Sequence, residues 1–192
     1  MKKIVITLAA LLASSILFAQ NKVTVEYGDL SVLKEKKTAT IQFDFSDAMV
    51  GERTLKEYLK SKGDDYLADW PSDQQEAGGY FIKEFNHRRG ITMKLRESES
   101  VKKSDYKMVL TVLYYNPGNQ VAKNIPLIAK GGATTISGYI EIFDKSTKKN
   151  DCVCKIVIDE VSGASYPADA TRLGFTYISI VRKIEELLEA GL

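Results

Sequence analysis

The chain has 192 residues, with 27 Lys or Arg against 25 Asp or Glu and a single histidine, for a formal net charge of +2 at pH 7. Hydrophobic residues make up 44% of it, enough for one domain with a packed core and too many for a disordered chain. So small a net charge gives no electrostatic reason to expect nucleic acid or an anionic membrane as partner.

The first residues read as an export signal. Lys2 and Lys3 form a positive start, Ile4 to Phe18 is apolar, and small Ala19 precedes polar Gln20. The apolar run is shorter than the roughly 20 residues that span a bilayer, and no later segment is longer, so no membrane span is expected. Leu17, three residues before the cut, suits a signal peptidase less well than alanine, which places cleavage at Ala19 only to within a few residues. Residues 1–19 are therefore read as a signal peptide and 20–192 as a single exported domain, periplasmic or secreted. Beyond residue 19 basic and acidic residues balance at 25 each, because the excess lies in Lys2 and Lys3. No cysteine lies near the boundary to accept a lipid, so no lipid anchor is expected.

Val23 to Tyr27 alternates as a half-buried strand does, and Ala39, Ile41, Phe43 and Phe45 alternate with polar residues in a stronger one. Leu55, Tyr58 and Leu59 give a helix over 52–62, with Gly63 placed to end it. Asp64 to Trp70 reads as a short acidic, aromatic segment stopped by Pro71. Ser72 to Gln75 looks like a capping box opening a helix over 72–89, although Gly78-Gly79 weakens its first half. Ile91 to Leu95 is a short strand, and 96–105 a charged loop. Tyr106 to Tyr115 is a strand buried on both sides, with Tyr114 on the face of Tyr106 and Met108, and Tyr115 on the other. Asn116-Pro117-Gly118-Asn119 is a turn, and a long connection runs on to Gly131-Gly132. Ile136 to Phe143 and Cys152 to Val161 form a hairpin. Asp169 is placed to cap a last helix to residue 190, whose stripe includes Leu173, Tyr177, Ile180 and Ile184. The fold class is α+β: a single, mostly antiparallel sheet with two to three helices, 52–62, 72–89 and 169–190, packed on one face.

No catalytic set emerges, so the chain is not read as an enzyme. Serine or cysteine nucleophiles need a base, and His87 lies in a helix end beside two arginines, where positive charge complements the helix dipole. Asp64, Asp65 and Asp69, or Glu97 and Glu99, cluster in sequence without a cleft to face, and the spacing of a calcium loop is absent. Cys152 and Cys154 read as two buried free thiols on one strand face with Ile156 and Ile158; they lack the histidine partners of a metal site, and no metal or cofactor is expected. Lys130-Gly131-Gly132-Ala133-Thr134-Thr135 loosely matches a phosphate-cradling loop, but a strand follows it rather than a helix.

Several segments resemble a pattern in small exported α/β proteins of Gram-negative bacteria. These are Tyr115-Asn116-Pro117-Gly118-Asn119, Lys130-Gly131-Gly132-Ala133, and Tyr139 to Lys149, together with Ile41 to Ser46 and the amphipathic last helix. More distantly the chain is similar to the periplasmic cores of curli-secretion and Tol-type envelope proteins. Many such relatives are lipoproteins, and this chain lacks their lipid-acceptor cysteine. The resemblance carries over no catalytic residues. It implies a non-enzymatic envelope protein that binds or assembles, with an envelope protein or a glycan as partner. The expected contact is a sheet edge or the 116–132 connection, with Tyr114, Tyr115, Lys123, Lys130, Gly131 and Gly132 as candidate binding residues. The alternative is a periplasmic hydrolase acting on glycan or peptide, suggested by segment 64–70 and His87.

Overall fold

The structure, a computed structural model, describes residues 21–97, 104–118, 132–147, 151–166 and 168–191. The expected signal peptide lies outside the described residues, as do Glu99, Lys123, Lys130 and Gly131.

Strands β1 (Lys22–Gly28), β2 (Thr38–Asp44), β5 (Lys94–Glu97), β6 (Tyr106–Asn116), β7 (Thr135–Asp144) and β8 (Cys152–Ser162) form one sheet in the order β1-β8-β7-β6-β2-β5. Short β3 (Met49–Val50) and β4 (Arg53–Thr54) pair with each other beside the end of β6. The run β1-β8-β7-β6 is antiparallel, and β2 lies parallel to both β6 and β5. The parallel pairing of β2 with β5 follows from the helical crossover between them, which antiparallel neighbours do not need. The fold is the expected α+β class.

The described residues hold three α-helices: α1 (Leu55–Lys62), α2 (Asp64–His87) and α3 (Asp169–Glu189). Thr54 caps α1 reciprocally with Glu57, and Gly63 ends it at φ 129. α2 overturns the expected break at Pro71: the helix runs from Asp64 through Pro71, and the presumed capping box at Ser72 lies inside it. Proline removes one N–H and crowds the preceding turn, but Leu67 and Trp70 pack on the core and Ala77, Phe81 and Phe85 are buried in it. Burying a large apolar side chain contributes about 1.5–3 kcal/mol, so a few of them offset a proline cost of about 3 kcal/mol. Asp169 opens α3 from inside the helix, its carboxylate pairing with Arg172 rather than capping the first turn.

One face of the sheet meets α2 and α3. Met108, Leu110, Ile140, Ile142, Ile156 and Ile158 line it, with Phe81, Tyr177, Ile180 and Ile184 opposite, and most have no exposed surface at all. The other face carries half-exposed Val109, Tyr139, Glu141, Phe143, Lys155 and Val157, as an antiparallel sheet wetted on one side does.

Among the register shifts of the sheet, two change the faces that strict alternation gave to Tyr114, Tyr115 and Cys152. The β6–β7 register shifts between Val112 and Tyr114. Tyr115 therefore joins Val112 on the buried side at 2% exposure, and Tyr114 stands outward at 37%. Strict alternation had assigned the opposite faces. A second shift, beside Val153, sets Cys154 opposite buried Ile142 and Cys152 opposite half-buried Phe143. The cysteines are free thiols, but only Cys154 is buried with Ile156 and Ile158.

Candidate functional site

β5 pairs with β2 only from Thr38 to Ile41. Beyond that point Gln42, Phe43 and Asp44 have no described strand on this side, while their other side pairs with β6. A cleft of about 340 Å³ opens here between the strand edge and the middle of α2. Its floor is Ile41, Phe43, Gly78 and Ile82; its rim is Gln42, Gln74, Gln75, Pro71 and Glu97. The volume falls in the range of ligand-binding clefts.

Each rim group is placed by a local feature. Gln42 points from β2 away from buried Ile41, as strand alternation requires. Gln74 and Gly78 lie four residues apart and so on one face of α2. A Cβ on Gly78 would come within 2.8 Å of Phe43 Cε2, so the helix sits close to the strand only because Gly78 has no side chain. Phe43 is held in turn by stacking on Tyr177 (4.9 Å) and edge contact with Phe81 (5.8 Å). Glu97 is the one charged side chain among the described lining residues. An amide both donates and accepts, so this rim can satisfy peptide groups or hydroxyls without a formal charge match.

Of the binding candidates singled out in sequence, the described ones lie at the end of β6 and just before the start of β7. Tyr115 is buried near the end of β6, Tyr114 faces outward beside it, and Gly132 is half-buried. Gly118 and Gly132 meet: a Cβ on Gly118 would lie 2.4 Å from the Gly132 carbonyl oxygen. Thr134 Oγ1 also donates to the Pro117 carbonyl at 3.4 Å. The connection over 119–131 thus leaves and returns at one point. Asp64 to Trp70 and exposed His87 stand at opposite ends of α2, which at about 1.5 Å per residue puts them roughly 30 Å apart, too far for one catalytic site. Among the described residues no group of His, Cys, Asp and Glu is arranged to hold a metal ion. Burial pushes the Cys154 thiol up to about 11, so its nucleophilic thiolate is disfavoured at neutral pH. No helix among the described residues is long and apolar enough to cross a membrane.

The amides were missed in sequence because Gln74 and Gln75 read as a helix start. A glycine inside an amphipathic helix was the available signal, since it marks a close backbone approach.

Fold and cleft define an open-sheet α+β protein whose β2 edge, among the described residues, is paired only over its first half. No family model matches the chain, and no curated protein sequence matches it. Among solved structures it is similar to the PelC dodecamer from Paraburkholderia phytofirmans, with 11% identity, TM-score 0.43, and coverage of 85% of this chain and 98% of that one. It is also similar to a neuraminyllactose-binding hemagglutinin homolog from Helicobacter pylori, with 12% identity, TM-score 0.30, and coverage of 80% and 83%. At such scores the likeness carries no functional weight.

Proposed function

We propose that the chain is an exported envelope protein that works as a binding or assembly module, taking an extended segment of a partner protein along the Gln42–Asp44 edge. The carrying observation is that no described strand pairs the Gln42–Asp44 edge, which lies inside an amide-lined cleft. A row of backbone N–H and C=O groups is matched best by another backbone, which favours a peptide segment over a glycan. Gln74 and Gln75 would hydrogen-bond the incoming strand from above, and Phe43 and Ile82 would seat one apolar side chain. The signal-like start supports export.

A photo-crosslinking residue at Gln75 tests this in cells, with Lys107 on the bare sheet face as control. Gln75 is expected to capture a partner that Lys107 does not, and Gln42→Lys, which places a charge on the edge, is expected to abolish that capture. Deleting residues 119–129 should leave it intact. Equal capture at both positions, or capture unaffected by Gln42→Lys, sinks the proposal.

A further inference from the structure

A second recess borders the same stretch of α2 as the cleft, and its chemistry goes beyond the proposed peptide binding. Tyr58 of α1, Tyr66 and Trp70 of α2 and Tyr115 of β6 wall it, with Asp73 and Asp169 at its sides. The walls are packed rings: Trp70 and Tyr115 are 5.5 Å apart, and Phe45 stands edge-on behind both at 5.4 and 6.0 Å. The space inside is about 10 Å³, room for one water-sized group. Asp169 is engaged by Arg172, which is 1% exposed. Asp73 is half-buried, and no hydrogen bond or ion pair reaches it from another described residue. Burial, with the neighbouring charges of Asp69 and Glu76, raises its carboxyl above the usual range. An electron-rich wall beside a poorly solvated carboxylate favours a cation, because ring quadrupole and carboxylate attract the same charge. An ammonium already rests on one of these rings: Lys62 Nζ lies 5.3 Å from the Tyr58 centroid.

We propose that this recess is a binding site for the primary ammonium group of an aliphatic chain, seated against Trp70 and Tyr115 and hydrogen-bonded to Asp73. The size sets the class. One water-sized position takes an –NH3+ head and excludes a quaternary ammonium. A guanidinium, planar and broader, is excluded on the same ground.

Trp70 is the only tryptophan of the chain, so its fluorescence reports on the recess directly. The full-length protein is titrated with n-butylammonium chloride at constant ionic strength, with tetramethylammonium chloride and sodium butyrate in parallel. A saturable change with n-butylammonium alone is expected, weakened about tenfold in Asp73→Asn, a change of shape-matched carboxylate to amide that removes the charge. Asp69→Asn, on the exposed side of the same turn, should weaken it less. Nα-acetyl-lysine methylamide separates two sources of this chemistry: tighter binding than n-butylammonium marks a partner's lysine, and equal or weaker binding marks a free amine. No saturable change, an equal response to tetramethylammonium, or unchanged affinity in a folded Asp73→Asn variant overturns the proposal. If the edge cleft fails its crosslinking test and this titration succeeds, the recess stands alone.

Discussion

Gly78 and Gly79 are adjacent in α2, and each would be called a helix weakness from propensity alone. Their surroundings differ. A Cβ on Gly78 would meet the Phe43 ring at 2.8 Å, and that ring is backed by Tyr177 and Phe81, so it can give way only by leaving those contacts. A Cβ on Gly79 meets nothing within 4 Å. Overpacking costs about 1–3 kcal/mol, more than the roughly 1 kcal/mol that alanine gains over glycine in a helix. Gly78→Ala is therefore expected to destabilise the protein by about 1–2 kcal/mol, and Gly79→Ala to stabilise it by about 0.5–1 kcal/mol. Urea unfolding of both variants checks the pair; two shifts of the same sign would refute the packing explanation. From sequence the glycines were visible, but the ring that distinguishes them comes from β2, far along the chain.

At the scale of elements, α2 and α3 are clasped by charge at one end. Arg88 pairs with Glu84 and, at 3.1 Å, with Glu185; Arg182 Nε reaches Glu84 at 3.0 Å; and the Gly90 N–H donates to Glu185 Oε1 at 3.1 Å. Burial pushes the Glu185 carboxyl up, but the Gly90 N–H and the Arg88 guanidinium outweigh it and hold the group below its usual range. A carboxyl lowered in the folded state adds stability above its unfolded pKa of about 4.3, and that stability is lost as pH falls through the lower folded value. Glu185→Gln should thus cost about 1–2 kcal/mol at pH 7, with the gap to wild type closing below about pH 4 in pH-dependent thermal unfolding. A constant gap at all pH values would show that the carboxylate charge is irrelevant. The amphipathic stripes of both helices were legible because their period is local. The bulges in β6 and β8 were not, because an extra residue is set by register with a neighbouring strand, and strict alternation then misassigned Tyr114, Tyr115 and Cys152.

For the whole molecule, the sheet has two kinds of edge. β1 offers a full-length strand, blunted by Lys22, Glu26 and the bulge after Val25, whereas β5 as described is four residues long and pairs β2 only from Thr38 to Ile41. The first described strand begins at Lys22, just past the expected cut, so removal of residues 1–19 should not touch the sheet. Expressed in a Gram-negative host, the protein is expected outside the cytoplasm with its N-terminus at or near Gln20 and an isoelectric point below the 8.4 of the intact chain. N-terminal sequencing of the fractionated protein checks this; an intact Met1-Lys2-Lys3 start would refute it.

Composition and hydrophobic period by themselves determined the α+β class, the three helical regions and most of the strands, because each of those signals is carried by residues within a few positions of one another. The order of the sheet, the parallel placement of β2, the passage of α2 through Pro71 and the strand bulges were decided only by tertiary structure, where core burial outweighs local preference. Both candidate sites belong to that second group. The cleft joins β2 to the middle of α2, and the recess joins α1, α2, β6 and α3. Tyr115 and the 64–70 segment were visible in sequence, but distant parts of the chain had to meet before a strand edge in a cleft or an aromatic wall with a carboxylate could exist.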